Sequence, residues 1–187
     1  AFRGHVVYLS SLAAAGPVTD TRHRRREDDD EEPVSDYGES KLAAEDIVFQ
    51  HLPPECTCTI LRPGAIYGPR EREIYEVLKI MQKYRLAFRL GDGVFSQMTH
   101  VYDVVDALIR AAQEPAARGH IYNITDAAAW SFDEIVELAA RALGRNVYTI
   151  PVPLFLARGL ANTIDFAGRL RGKPVSPLTR DKLYELE

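Results

Sequence analysis

Two short apolar runs, each ending on hydroxyl or turn-forming residues, constrain this chain more than any other feature. They are "HVVYLSS", beginning at His5, and "CTCTILRPG", beginning at Cys56. Such continuous runs, rather than an apolar/polar alternation, suit strands that are covered on both faces, as in parallel sheets. Between them a helical pattern starts at Tyr37, with Leu42, Ile47 and Val48 among good helix formers, until "LPPE" breaks it. Strand, helix, strand, helix is the signature of an α/β fold. Open sheets of that class bind ligands beyond the carboxyl ends of their strands, where Ser10, Ser11 and "RPG" fall.

The pattern continues downstream. "REREI" (Arg70 to Ile74) opens a helix running toward Tyr84, "MTHVY" reads as a strand, and "DVVDALIRAAQEP" as a helix with Asp103 as N-cap and Pro115 as stop. "GHIYNITD" is a strand. "SFDEIVELAARALG" is a helix with a Ser131/Glu134 capping box and Gly144 at its end, and "NVYTIPV" is one more strand. The remainder, through "LTRDKLYELE", reads as mostly helical. "TDTRHRRREDDDEEPVSD", basic and then acidic, cannot bury a core and is expected to be a solvated loop. No internal repeat is present. The division expected is residues 1–69 as a Rossmann-type section and 70–187 as a small mixed α/β substrate section with elements returning to the sheet.

With 187 residues, 46% of them hydrophobic, the chain can bury one sizeable core, and a net charge of −4 argues against a nucleic-acid binder. Small molecules or proteins are the partners expected. Cys56 and Cys58, one residue apart, suggest neither a disulfide framework nor a metal knuckle but core or half-buried thiols, in keeping with a reducing, cytoplasmic compartment. The five histidines show no metal-ligand spacing. No run reaches the ~20 apolar residues of a membrane span. The amphipathic stretch from Pro153 to Leu170 is read as a helix capping the core, with peripheral membrane contact as the alternative.

Three segments in order, "VVYLSSLAAAG", "YGESKLAAE" and "LRPGAIYGP", resemble the extended short-chain dehydrogenase/reductase family, which includes sugar-nucleotide epimerases and 3β-hydroxysteroid dehydrogenase-like enzymes. "GDGVFSQMTHVYDVVDAL" and "HIYNITD" are similar to the family's substrate section, so the resemblance covers nearly the whole chain. It implies NAD or NADP as cofactor and a catalytic serine, tyrosine and lysine. Counting back from Gly16 places the serine at Ser11, with Ser10 as the alternative, and Tyr37 and Lys41 match the family's Tyr-x-x-x-Lys pair. Leu12, Tyr67, Arg70 and His100 fall at substrate-section or site-wall positions. For His100 a satisfied structural histidine near the helix start at Asp103 is the preferred reading, and Arg70 would meet a substrate phosphate or a nearby carboxylate.

The chemistry asks for these residue types. Oxidising an alcohol removes its hydroxyl proton while hydride leaves for the nicotinamide, so a base must stand beside it near neutral pH. Bringing a tyrosine from about 10 to about 7 takes roughly 4 kcal/mol. One cation at about 4 Å in an effective dielectric near 20 supplies about that amount. Positions i and i+4 share a helix face, so Lys41 can stand by Tyr37 and reach the cofactor ribose, while Ser11 holds the substrate oxygen. Pro63 fixes a turn at a strand end, and Gly64 permits close backbone approach, so that Ala65 and Ile66 can offer main-chain groups to the nicotinamide amide.

The resemblance also has departures. The family's glycine-rich turn after its first strand has no counterpart; "GDGVFS" lacks the third glycine and a strand-helix setting. The expectation is an incomplete Rossmann-type parallel sheet, a chain that binds NAD(P) poorly by itself, and an exposed sheet edge. Leu12 and Ala13 stand where the family's dehydratases carry Asp-Glu, which disfavours dehydration. Ala15 stands where its epimerases usually have tyrosine, so a 3β-hydroxysteroid dehydrogenase-like alcohol oxidation is preferred over nucleotide-sugar epimerisation. A non-catalytic scaffold remains the alternative from another class. The helix beginning at Tyr37 implies, by the resemblance, a homodimer for the full-length protein.

Overall fold

The computed structural model describes residues 4–17, 25–90, 95–126, 129–153 and 155. Along them run β1 (His5–Leu9), α1 (Asp36–His51), β2 (Thr57–Pro63), β3 (Ala65–Tyr67), α2 (Glu73–Tyr84), β4 (Leu86–Leu90), β5 (Phe95–His100), α3 (Val101–Gln113), β6 (Ile121–Ile124), β7 (Ala129–Ser131), α4 (Phe132–Leu143) and β8 (Tyr148–Val152). Short 3-10 turns occur at Leu12–Ala14 and Pro115–Ala117. The chain forms two compact units, one of residues 1–69 with 97–129 and one of residues 70–96 with 130–187. It is an α/β protein with parallel strand pairing.

In the first unit the sheet order is β1-β2-β6, with every pair parallel. His5 lies opposite Thr57 and Leu9 opposite Leu61, while Arg62 lies opposite Asn123. β2, flanked on both sides, is buried from Cys58 to Pro63, as a continuous apolar run requires. β1 corrects the expectation of a buried strand: it lies at the sheet edge and is partly exposed along its length. Helix α3 packs behind, where His5 pairs through Nδ1 with Thr57 Oγ1 at 2.9 Å and through Nε2 with the Ala111 carbonyl at 3.1 Å. Cys56 and Cys58 are both buried, and burial raises the Cys58 pKa.

Helix α1 begins at Ser35, whose hydroxyl accepts from the Gly38 N–H at 3.0 Å, with Asp36 and Glu39 in the first turn favouring the helix dipole. Helix α3 departs from the sequence reading. Its N-cap is His100, whose Nδ1 accepts from the Tyr102 N–H at 3.3 Å, and Asp103 sits inside the first turn. The reason is continuity: β5 ends at His100, and the helix starts with no linker to carry an Asp cap.

The second unit pairs β4 with β8 in parallel, Leu86 opposite Tyr148 and Leu90 opposite Val152. Met81, Ala87 and Val136 are its buried centre, packed by Leu78, Phe132, Ala139, Leu143 and Val147. The Ser131/Glu134 capping box is formed, and Gly144 closes α4 in the left-handed conformation at φ 61°. The segment expected as an amphipathic helix from Pro153 to Leu170, and the helical tail after it, lie almost wholly outside the described residues.

Candidate active site

β1, β2 and β6 are parallel, so Ser10, Gly64 and Thr125 all leave the sheet at one edge. At that edge Ser11 turns the chain into the 3-10 turn, and its Oγ accepts from the Ala13 N–H at 3.2 Å. The first turn of α1 packs directly on it. A Cβ at Gly38 would stand 2.5 Å from the Ala13 carbonyl oxygen, so the residue after Tyr37 must lack a side chain for this approach. Tyr37 is 44% exposed, and Lys41 one turn on carries its Nζ 5.6 Å from the Tyr37 ring centroid. The same ammonium is 6.0 Å from the ring of Tyr8 on β1, at the outer limit of a cation-π contact.

Ser10 points elsewhere. It is 4% exposed, and its hydroxyl donates to Glu45 Oε1. Glu45, 2% exposed on α1, receives Arg62 of β2 in a forked contact, Nε at 3.0 Å to Oε1 and Nη2 at 2.6 Å to Oε2. Arg62 Nη2 also meets Glu31 at 3.0 Å. Burial works against the Arg62 charge, but the hydrogen bonds and charges of Glu45 and Glu31 outweigh it and raise the guanidinium pKa. Glu31 belongs to the acidic half of the segment expected as a solvated loop. That half is largely exposed, yet it is strapped down: Glu27 accepts from the Asn123 N–H at 2.8 Å, the Glu32 N–H donates to the Ala15 carbonyl at 3.0 Å, and Arg25 donates to the carbonyls of Ala15 and Asp30. Gly16, at φ 92°, has no room for a Cβ against the Glu32 carbonyl. The basic half of the loop before Arg25 lies largely outside the described residues.

Beyond β2 the chain passes through Pro63 and Gly64 into β3. The Gly64 N–H donates to the Ile124 carbonyl at 3.0 Å, and a Cβ there would strike the Gln97 carbonyl. Ala65 and Ile66 pair with Met98 and Thr99 of β5, so any main-chain group they offer a ligand must come from the opposite edge of β3. Tyr67 and His100 meet edge to face at 5.1 Å between centroids, and His100 meets Tyr102 likewise at 5.0 Å. Burial, then the charges of Asp126 and Asp103, raise the Tyr67 pKa, so its phenol stays protonated at neutral pH. Leu12 and Ala13 form the partly exposed wall of the serine turn. Arg70 opens the second unit, exposed and in left-handed backbone at φ 76°. No cluster of three or more metal-ligating side chains occurs among the described residues.

Sequence reasoning missed Glu45, Arg62 and Tyr8. A signal existed for the first two: Arg62 is the only charge in an apolar strand, and Glu45 continues the Tyr37, Lys41 spacing by another four residues.

A curated 4-epimerase of N-acetyl-glucosaminyl-diphospho-undecaprenol from Escherichia coli O157:H7 is 26% identical over 90% of this chain and 51% of its own length. A decarboxylating sterol-4-alpha-carboxylate 3-dehydrogenase of Saccharomyces cerevisiae is 26% identical over 76% of this chain and 44% of its own. Among solved structures, MoeE5 in complex with UDP-glucuronic acid and NAD superposes with a TM-score of 0.70 at 29% identity, covering 80% of this chain and 52% of that one. The fold is therefore of the Rossmann-related kind seen in such enzymes. The chain spans about half the length of the curated relatives it matches. The family model for NAD dependent epimerases and dehydratases matches residues 2–125, which hold the serine turn, the Tyr37–Lys41 pair and the Pro63–Gly64 exit. The chain belongs to the NAD dependent epimerase/dehydratase family.

Proposed function

We propose that this chain carries the catalytic part of an NAD(P)-dependent oxidoreductase acting on a secondary alcohol, of the 3β-hydroxysteroid dehydrogenase-like type. The observation that carries this reading is the Lys41 ammonium beside the Tyr37 ring, on a helix whose first turn packs against the Ser11 turn. A phenol, an ammonium and a hydroxyl at one open sheet edge are the donor set that a nicotinamide and an alcohol require, so these residues fit the cofactor. The bound nicotinamide supplies the hydride acceptor. Tyr37 would take the hydroxyl proton, Lys41 would stabilise the resulting phenolate and reach the ribose, and Ser11 would orient the substrate oxygen. Pro63, Gly64, Ala65 and Ile66 would border the nicotinamide. Tyr67 and His100 line the substrate side, while Ser10 belongs to the supporting structure.

The test is calorimetric titration of the chain with NAD(H) and NADP(H), alongside a Tyr37→Phe, Lys41→Met double variant and an assay for nicotinamide reduction with secondary alcohols. Binding that the double variant weakens supports the reading. Binding that it leaves unchanged overturns the assignment of these residues. Epimerisation of a nucleotide-sugar is the second reading, favoured by the UDP-glucuronic acid held by the similar MoeE5. It would return its cofactor unchanged, whereas a dehydrogenase accumulates reduced nicotinamide. The small apolar wall of Leu12 and Ala13 supports the less polar alcohol. Homodimerisation through α1 is part of the proposal, and its exposed Ile47 and Phe49 support it.

A further inference from the structure

We propose that the buried chain Ser10–Glu45–Arg62–Glu31 is a positioning device that sets the Tyr37–Lys41 pair against the Ser11 turn. The inference deepens the catalytic reading of Tyr37 and rests on it.

Tyr37, Lys41 and Glu45 follow one another at four-residue intervals, so they form one stripe along α1. The stripe runs from an exposed phenol through a partly buried ammonium to a carboxylate that is 2% exposed. Glu45 is thus the foot on which this face of the helix stands. The forked contact with Arg62 fixes both the height of that foot along β2 and the rotation of α1 about its own axis, which a single point contact would not. On one side Glu45 accepts from Ser10, the residue before Ser11. On the other, Arg62 holds Glu31, whose neighbour Glu32 bonds the Ala15 carbonyl at the far end of the same serine turn. The network therefore grips the Ser11 turn from both ends while it seats the helix that carries Tyr37.

Stability alone gives little reason for such a network. Replacing a buried ion pair by neutral groups of similar volume is often neutral or stabilising, because desolvation offsets the attraction. What a forked, fully buried pair contributes beyond that is one defined geometry, and the geometry it defines here is that of the Tyr37 stripe. The roles divide accordingly: Ser10, Glu45, Arg62 and Glu31 are positioning residues, and Tyr37, Lys41 and Ser11 would touch the reactants.

The test uses the whole chain with its tyrosines labelled at Cζ with carbon-13, the Tyr37 resonance being assigned by its loss in Tyr37→Phe. Amide exchange of Ala13 and Gly38, the N–H groups capped by Ser11 and Ser35, is followed in parallel. In the neutral double variant Glu45→Gln, Arg62→Met the melting temperature should hold while the Tyr37 resonance moves or splits and both amides exchange roughly tenfold faster or more. Arg62→Lys keeps the charge but not the fork, so it should behave like the neutral double variant. If the double variant does not fold, Ser10→Ala removes one hydrogen bond and should move the same signals to a smaller extent. An unchanged Tyr37 resonance with unchanged amide exchange in folded variants overturns the proposal, as does an Arg62→Lys chain that matches the wild type. These readouts need no turnover. Failure of the catalytic reading shows separately, as cofactor binding indifferent to the Tyr37→Phe, Lys41→Met double change.

Discussion

Replacing Gly38 by alanine sets two effects of opposite sign against each other. In an isolated helix the change stabilises by about 1 kcal/mol, since glycine is among the poorest helix formers. In the folded chain the new methyl would stand 2.5 Å from the Ala13 carbonyl oxygen and 3.1 Å from Pro33 Cβ, the first contact about 0.9 Å short of ordinary van der Waals distance. The clashing oxygen is main chain, so it cannot rotate away, and either α1 or the serine turn must shift. Overpacking of this kind costs roughly 1–3 kcal/mol, which exceeds the propensity gain over most of its range. The expected net result is a loss of up to about 2 kcal/mol, a drop of a few degrees in melting temperature for a chain of this size. The assay pairs two measurements: circular dichroism of a peptide spanning Asp36–His51, where Gly38→Ala should raise helicity, and denaturant unfolding of the chain, where it should lower stability. A chain stabilised by as much as the peptide would refute the close approach of α1 to the Ser11 turn.

Other outcomes follow from the same geometry. Glu45→Ala leaves Arg62 with only the partly exposed Glu31 and removes the acceptor of Ser10, so urea unfolding should show a loss of about 3–5 kcal/mol. Ser131→Ala removes one half of the α4 capping box and should cost about 1 kcal/mol by the same measurement. Hydrogen bonds from the Ser131 side chain and backbone hold the Glu134 pKa below its ordinary value. Their stabilising effect is present above that ordinary value and fades as pH falls through the lower, folded-state one, so the Ser131→Ala penalty should shrink in acid. For Tyr67 the sign is reversed: its pKa is raised, so its contribution is complete below the ordinary tyrosine value and is lost as alkaline pH rises through the folded one. Tyr67→Phe should remove that part of the alkaline destabilisation.

Much of the fold was legible because its signals are local. The buried character of β2 follows from an unbroken apolar run, and the ends of α4 follow from a Ser-x-x-Glu pattern and a glycine. The short strands β3, β4 and β7 left no clear pattern, since their identity comes from pairing partners distant in sequence. The cap of α3 was misplaced because an Asp three residues along looks like a better cap than a histidine that is also the last residue of a strand. In the candidate site, spacing and resemblance single out Tyr37, Lys41 and Ser11. Glu45 and Arg62 could not be paired from spacing alone, because 17 residues and a helix-to-strand crossover separate them. The acidic run read as solvated for its composition, which says nothing of the single carboxylate that an arginine under the sheet edge would capture.

The discontinuity of the first unit bears on how the molecule is made. Its central strand β2 cannot complete its pairing until Ile121 to Ile124 exist, and residues 70–96 of the other unit must be synthesised in between. During translation at about 5–20 residues per second, β2 would wait several seconds with the N–H and C=O groups of one edge unpaired. Pairing across so long an intervening stretch also places this unit among slow-folding, high-contact-order topologies. Production of the chain in a cell should therefore respond more to chaperone supply and growth temperature than to the intrinsic stability of the finished fold.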